Sequence, residues 1–156
     1  MIKTNVMRLL EQAAIPYQSV EYEVDENNLA GIHVAEQIGV PPEQVFKTLV
    51  ARGEKKGIVV FCIPVHLELN LKKAAILIGD KKIEMLPVKE LLGVTGYIRG
   101  GCSPIGMKKK FPTYLDETAI LYDDITVSAG IRGCQLIIPR EKLINYIGAT
   151  LGDIAE

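Results

Sequence analysis

A glycine-rich stretch at residues 96–106 offers the most distinctive chemistry in this sequence. Its eleven residues, GYIRGGCSPIG, include four glycines and one proline. Glycine adopts backbone angles closed to other residues and lets a ligand approach the main chain closely. Such a loop can direct several backbone N–H groups at one point, which suits an anion or a polarised carbonyl oxygen. The stretch lacks the Gly-Lys-Ser/Thr ending of a P-loop and the G-x-G-x-x-G order of a dinucleotide site, so a tight connection between two strands is the alternative interpretation.

A lysine inside an apolar segment is the second candidate. Lys47 lies within residues 45–51, VFKTLVA, which predict a strand that is buried on both faces. Removing its ammonium from water is costly unless it meets an anion or reaches a cleft. The alternative is that the side chain simply extends to the protein surface.

Two further segments carry residues that could face a ligand. Residues 18–24 alternate strictly, so Val20, Tyr22 and Val24 share one face of a predicted strand, and Tyr22 points inward or into a cleft. Core packing of the tyrosine ring, with its hydroxyl hydrogen-bonded, is the alternative. Residues 128–133, SAGIRG, predict a second glycine loop between two strands.

The residue pattern indicates no complete nucleophilic site. There is no G-x-S-x-G turn, neither His33 nor His66 pairs with an acidic residue in a triad-like pattern, and no metal site is predicted. Cys102 lies in the first glycine loop, but it would need a base to form a thiolate, so a small neutral residue is the preferred interpretation. What remains is a positioning site, in which loop N–H groups, Lys47 and Tyr22 orient a substrate and stabilise developing negative charge.

Composition and charge restrict the class of protein. The 156 residues, 48% hydrophobic and 24% charged, predict one domain spanning residues 1–156. A net charge of −1 argues against a general nucleic-acid binder, which usually carries a clear basic excess. Two lysine pairs and one triplet could still form a small basic face if they cluster, although each alone indicates solvated surface. These lysines are Lys72, Lys73, Lys81, Lys82 and residues 108–110.

The sequence also predicts a cytoplasmic location. No apolar run reaches the roughly 18 residues of a membrane span, and the N-terminus lacks the apolar stretch of a signal peptide. The three cysteines are odd in number and lack C-x-x-C spacing, which argues against a disulfide framework or a zinc site.

Hydrophobic periodicity and turn residues predict the elements that must position these residues. Strands at hairpin distance mixed with scattered helices indicate an α+β fold, with a mixed, mostly antiparallel and barrel-like sheet surrounded by several helices. The helices are predicted at 4–14, 32–38, 70–78 and 87–92 and from 139 onward, and the strands at 18–24, 45–51, 58–65, 81–86, 119–122, 125–128 and 134–138.

Three motifs in register resemble the YbaK/EbsC family, the free-standing relatives of the prolyl-tRNA synthetase editing domain. They are FKTL at 46–49, the G-Y…G-G-x-S-P-x-G pattern at 96–106 and S-x-G-x-R-G at 128–133. Each motif alone is weak, whereas the three together are fairly specific, and the match extends over nearly the whole chain.

The resemblance implies an aminoacyl-tRNA deacylase that acts in trans on cysteine mischarged onto proline tRNA, without cofactor or metal. It implies Lys47 and Gly101 as catalytic residues, with Lys47 holding the tRNA end or the aminoacyl group and the Gly100-Gly101 turn offering N–H groups to the ester carbonyl. The substrate-binding residues that it implies are Tyr22, Phe46, Thr48, Gly100, Ser103, Ser128 and Gly130. The implied partners are the acceptor end of proline tRNA and prolyl-tRNA synthetase, and no membrane.

Several alternatives stay open at this point. Attack by the substrate's own thiol, or by water activated by the terminal ribose hydroxyls, would each agree with the missing protein nucleophile. Ala129 stands where similar family members have glycine, which can change pocket size. The amino acid removed could therefore be another small one such as alanine, or the domain could bind nucleotides or a tRNA end without turnover.

Overall fold

Two β-sheets and the helices around them make up this computed structural model, which describes residues 3–156. The α-helices are α1 (Asn5–Gln12), α2 (Gly31–Ile38), α3 (Leu71–Ile78), α4 (Val88–Thr95) and α5 (Arg140–Ile147). The strands are β1 (Gln18–Glu21), β2 (Phe46–Gly53), β3 (Gly57–Pro64), β4 (Ile83–Met85), β5 (Thr113–Asp116), β6 (Asp124–Ser128), β7 (Cys134–Pro139) and β8 (Thr150–Gly152). Short 3-10 helices lie at Pro42–Gln44 and Glu117–Leu121.

The sheet topology confirms the predicted α+β class and corrects one part of it. A three-stranded sheet has the order β1-β7-β6, and a five-stranded sheet has the order β4-β2-β3-β5-β8. The pairs β3–β5 and β5–β8 are parallel and the other four pairs are antiparallel, so the strands are mixed and mostly antiparallel as predicted. The barrel-like arrangement is wrong, because the strands of the described residues form two separate sheets rather than one closed sheet.

Local capping signals set the helix ends that the sequence predicts. The Thr4 hydroxyl accepts a hydrogen bond from Met7 N at 3.2 Å, and Asn70 Oδ1 accepts one from Lys73 N at 3.0 Å. These side chains satisfy backbone donors that have no partner in the first turn of a helix. Gly79 ends α3 with a φ of 75°, a conformation that favours glycine.

Several local predictions are wrong or incomplete. Strand β1 ends at Glu21, so Tyr22 and Val24 lie outside the strand predicted at 18–24. Helix α4 was predicted to end before Gly93 but continues to Thr95, and Gly96 follows it with a φ of 88°, a conformation that favours glycine.

The strand predicted at 119–122 is a 3-10 helix, because the Asp116 carboxylate accepts a hydrogen bond from Thr118 N and caps it. Strands β5 and β8 were not predicted, since both depend on parallel pairing with strands distant in sequence.

The β2–β3 hairpin forms the centre of the core, with both faces covered. One face packs with the three-stranded sheet, and Val50 and Cys62 lie there in the same cluster as Leu136. The other face packs on α3, where Phe61 and Ile78 share a second cluster. The prediction that residues 45–51 form a strand with two apolar faces is thereby confirmed.

One edge of β2 is left open beside this core. Strand β4 pairs only with residues 51–53 of β2, and Leu86 N then donates to Val50 O at 3.0 Å. No other strand of the described residues pairs with residues 46–49 on this side. Their main chain therefore borders the space between the sheets, where the site described below lies.

Asp80, which follows α3, gives a prediction about acid stability. Burial raises the pKa of its carboxyl, but backbone N–H groups outweigh this and hold the pKa below its ordinary value. Lys56 N donates at 2.9 Å, Lys55 N at 3.0 Å and Lys81 N at 2.7 Å. A lowered folded-state pKa stabilises the fold above the unfolded pKa of about 3.9, and this contribution is lost as the pH falls through the folded-state pKa.

We therefore expect Asp80→Asn to lower the melting temperature at neutral pH and to make it less sensitive to acid below about pH 4. Thermal unfolding across an acid titration measures both effects, with Asp153→Asn at an exposed ion pair as control. Equal acid sensitivity in wild type and Asp80→Asn would contradict the assignment.

Candidate functional site

A cleft of about 470 Å³ opens along the unpaired edge of β2. Residues from both sheets, from α2 and the segment before it, from α4 and from the first glycine loop line it. Its wall includes Leu29, Gly31, Val34, Phe46, Lys47, Thr48, Glu68, Leu86, Leu91, Arg99, Gly100, Cys102, Ser128 and Gln135. The cleft is therefore mostly apolar with a few polar groups, as is typical of small-molecule sites.

Five of the nine residues suggested by the family resemblance line this cleft, namely Phe46, Lys47, Thr48, Gly100 and Ser128. Their positions in the chain are far apart, so the tertiary structure brings them together.

The other four, Tyr22, Gly101, Ser103 and Gly130, lie outside the set of residues that line the cleft. Tyr22 N donates to Gly133 O at 2.9 Å, which ties the residue after β1 to the second glycine loop. Ser103 is fully buried, and its hydroxyl accepts a hydrogen bond from Ile105 N at 3.3 Å. Tyr22 and Ser103 thus make hydrogen bonds within or between the loops rather than lining the cleft.

Lys47 lies at the mouth of the cleft. Its side chain is 26% exposed, and Nζ lies 3.7 Å from Oε1 of Glu68, whose side chain is 83% exposed. Such a loose pair with a largely solvated carboxylate contributes little stability. The ammonium is therefore held at the cleft and can exchange its partner for an anion brought by a ligand.

The two glycine loops pack directly against each other. Arg132 Nε donates to Arg99 O at 2.8 Å, which joins the second loop to the first. A Cβ added at Gly101 would lie 3.1 Å from both Arg132 N and Ile131 C, so only glycine lets the two main chains come this close. Gly101 N–H itself donates to Ile98 O at 3.0 Å.

That turn leaves Gly100 as the better-placed backbone donor. Gly100 lines the cleft, and its N–H has no hydrogen-bond acceptor among residues 3–156. The N–H of Gly101 is already used within the loop, so its contribution in this structure is to hold Gly100 in place.

Hydroxyl groups around the loops serve mainly to hold them. The Tyr97 hydroxyl donates a hydrogen bond to Ile105 O across the first loop. Burial raises the pKa of this phenol to about 12, so it stays a donor at neutral pH. Ser128 Oγ accepts from Gly130 N at 3.1 Å and shapes the start of the second loop.

The thiols near the cleft are unsuited to nucleophilic attack. Burial raises the pKa of Cys102 to about 12, and burial likewise raises that of Cys62 to about 12 despite its contact with the Thr48 hydroxyl at 3.8 Å. Both are therefore neutral thiols at physiological pH, while the thiolate is the reactive form. The interpretation of Cys102 as a small neutral residue agrees with this.

Sequence reasoning missed three polar residues of the cleft, namely Glu68, Arg99 and Gln135. A signal was available only for Gln135, which is a lone polar side chain in the otherwise apolar run of β7. Glu68 and Arg99 lie outside helices and strands, where the sequence pattern says nothing about what they face.

No group of three or more His, Cys, Asp or Glu side chains among the described residues is arranged to hold a metal ion. In the same part of the chain, every helix is too short or too polar to cross a lipid bilayer. Among the described residues, the cleft therefore offers two cations, Lys47 and Arg99, the Glu68 carboxylate, the unpaired Gly100 N–H and an open strand edge in an apolar setting. This arrangement can orient an ester and stabilise negative charge on its oxygens.

Comparison with known proteins shows what this chain is similar to. A family model described as an aminoacyl-tRNA editing domain matches residues 30–146. An Enterococcus faecalis protein named EbsC, and provisionally described as a Cys-tRNA(Pro)/Cys-tRNA(Cys) deacylase, is 49% identical over 152 residues, which cover 97% of this chain and 93% of that protein.

One further relative is similar in sequence and one solved structure is similar in fold. The proline–tRNA ligase of Thermosipho africanus is 34% identical over 76 residues, which cover 49% of this chain but only 13% of the ligase. A solved structure, provisionally described as a trans-editing enzyme for prolyl-tRNA synthetase, has a TM-score of 0.85 at 26% identity, with 100% of this chain and 99% of that chain covered.

Proposed function

The chain belongs to the aminoacyl-tRNA editing domain family, and on that premise we propose that it is a trans-editing deacylase that cleaves the ester of mischarged tRNA. The observation that carries this proposal is that Lys47 and Gly100, whose N–H has no acceptor among the described residues, line one apolar cleft. The proposal treats residues 1–156 as a single editing domain that works in the cytoplasm.

Cys-tRNA(Pro) is the substrate that the relatives favour. The similarity to EbsC, and to part of a proline–tRNA ligase, supports a link to errors made in charging proline tRNA. A pocket made for proline rejects amino acids of similar or smaller size only weakly, because each missing methylene changes binding by about 1–3 kcal/mol. A separate site of different shape can then remove the wrong product.

In the proposed mechanism, the cleft positions the ester rather than attacking it. Lys47 binds a phosphate or ribose oxygen of the tRNA end, and the Gly100 N–H donates to the ester carbonyl oxygen as it becomes negative. Gly101 holds that N–H in place through its contact with the second loop. Phe46 supplies an apolar wall, while Thr48 and Ser128 contribute polar surface beside it.

The attacking group comes from outside the protein in this proposal. Water adds to the carbonyl carbon, the ester C–O bond breaks, and the proton passes to the departing ribose oxygen. For a cysteinyl ester, the thiol of the substrate can take the place of water and form a thiolactone. A hydrolytic route is the main proposal, and the release of free amino acid rather than thiolactone distinguishes it.

The test is deacylation of proline tRNA charged in turn with cysteine, alanine and proline. We expect rapid loss of cysteine and slow loss of proline. Loss of alanine alone would keep the enzyme class and change the substrate. No loss of any of the three by folded protein would refute a deacylase of this specificity and favour a binding module.

Prolyl-tRNA synthetase is the proposed partner for tRNA delivery. The net charge of −1 indicates that the chain by itself has weak affinity for tRNA. At limiting enzyme, added synthetase should therefore speed deacylation, and indifference to the synthetase would argue against this partnership.

Glu68 provides a prediction about substrate binding. Its carboxylate pairs with Lys47 and would compete with, and repel, a phosphate that approaches the same ammonium. We expect Glu68→Gln to lower KM for charged tRNA by about two- to fivefold at low salt, the range expected for an exposed ion pair, with kcat little changed. The matched control is Glu11→Gln, which breaks the Lys3–Glu11 pair on α1. A higher KM in Glu68→Gln would show instead that Glu68 assists binding.

A further inference from the structure

Gln135 is the buried polar residue of the cleft that the proposed mechanism leaves unused. It lies on β7, is 7% exposed and lines the cleft. Its Oε1 is buried without a hydrogen-bond partner among the described residues. Leaving a buried carbonyl oxygen unpaired is unfavourable, so this position suits a ligand that brings a hydrogen-bond donor.

Gln135 and Lys47 line the cleft from different sheets, so the two sides of the cleft offer different polar groups. Gln135 is the register partner of Ser128 on β6, and both line the cleft from the three-stranded sheet. Ser128 Oγ is already occupied by Gly130 N, whereas Gln135 Oε1 is free. Lys47 belongs to the five-stranded sheet. A cation thus stands on one sheet and an unpaired neutral acceptor on the other.

The end of a charged tRNA carries groups that match this arrangement. The phosphate oxygens of the tRNA suit Lys47, and the carbonyl oxygen of the ester suits the Gly100 N–H. The free α-ammonium of the ester is a strong donor with three N–H bonds, and Lys47 would repel it. The thiol of a cysteinyl group is only a weak donor, so it would satisfy a buried oxygen poorly.

We propose that Gln135 Oε1 accepts a hydrogen bond from the α-ammonium of the aminoacyl group, and that the site thereby requires a free amino group. This inference rests on the proposed function and deepens it. Esters whose amino group is acylated, such as peptidyl-tRNA, are then rejected, so the enzyme removes single amino acids and spares growing chains.

The test compares two esters of proline tRNA that differ only at the α-position. One carries cysteine, and the other carries a mercaptopropionyl group, which keeps the thiol and lacks the amino group. Each catalysed rate is divided by the uncatalysed rate of the same ester, which removes the difference in intrinsic lability. The enzymes are wild type, Gln135→Met, which keeps the length but loses the acceptor, and Gln135→Glu, which keeps an acceptor.

We expect wild type to prefer the cysteinyl ester by about ten- to a hundredfold, which corresponds to the cost of about 1–3 kcal/mol for leaving a buried acceptor unsatisfied. Gln135→Met should lose this preference through slower cleavage of the cysteinyl ester alone, and Gln135→Glu should retain it. Circular dichroism and thermal melting establish that each variant is folded.

Several results would overturn the inference. A wild-type preference retained by Gln135→Met, or an equal loss on both esters, would show that Gln135 does not contact the amino group. If Gln135→Met does not fold, the folded variant Gln135→Glu provides the test. Loss of the preference for the cysteinyl ester in that variant would also refute the inference. A wild type that cleaves the cysteinyl ester without any preference would refute this inference alone, whereas a wild type that cleaves neither ester would refute the proposed function as well.

Discussion

Lys47→Ala is expected to lower kcat/KM for deacylation by about ten- to a hundredfold, because the variant loses the charged hydrogen bond that holds the tRNA end, worth about 1.5–3 kcal/mol. Lys47 lines the cleft near the start of β2, so alanine removes the cation that the proposed mechanism uses, while Arg99 stays at the cleft. The fold should survive, because the side chain is partly exposed and its one ion pair is with a solvated glutamate.

Steady-state kinetics on charged tRNA measure this effect, and single-turnover rates separate binding from cleavage. An enzyme in which Lys47 acts on the transition state loses turnover of bound substrate, whereas a pure binding module loses affinity only. Lys73→Ala is the matched control, since Lys73 also pairs with an exposed carboxylate, that of Asp153, away from the cleft. Equal activity of wild type and Lys47→Ala would remove Lys47 from the mechanism.

Gly101→Ala is the second variant with a large expected effect. Its Cβ would lie 3.1 Å from backbone atoms of Ile131 and Arg132, and backbone cannot rotate away as a side chain can. The two loops must separate, which shifts Gly100 at the cleft. The required shift is a few tenths of an ångström. Since a shift on the order of 1 Å in a positioning group can cost about a hundredfold in rate, we expect this smaller shift to lower kcat/KM by about three- to tenfold.

The same substitution should also lower the melting temperature. Overpacking typically costs about 1–3 kcal/mol, which corresponds to a decrease of roughly 2–12 °C for a domain of this size. Gly93→Ala is the matched control, because a Cβ added at Gly93 in α4 meets no atom within 4 Å. We expect that control to keep full activity and an equal or higher melting temperature. Full activity in Gly101→Ala would show that the loop contact does not position the site.

Local signals account for the parts of the fold that could be predicted from the sequence. Thr4 and Asn70 cap the helices that follow them, and Gly79 ends α3, because each acts within one turn of its own position. The apolar run around Lys47 predicted a strand covered on both faces, and β2 is covered by the other sheet and by α3.

Elements that depend on distant pairing were not predictable in this way. Strand β5 forms because it pairs in parallel with β3, and β8 forms because it pairs in parallel with β5. Both strands are too short for an alternating pattern to be recognised in the sequence. The apolar residues at 119–122 gave a stronger strand signal, although this segment is not a strand. The Asp116 cap that turns it into a 3-10 helix is clear only once β5 ends there.

The candidate site divides in the same manner. The sequence by itself determined the types of group available: two glycine loops, a strand lysine and no activated nucleophile. Only the tertiary structure decided which of them meet, since it brought Lys47, Gly100 and Ser128 to one cleft that Gly101 and Gly130 do not line. It also added Gln135, which the register between β6 and β7 places opposite Ser128 and whose Oε1 has no hydrogen-bond partner among the described residues. The physical reason is that backbone propensity and capping act over a few neighbouring residues, whereas a cleft between two sheets is made by packing residues that lie far apart in the chain.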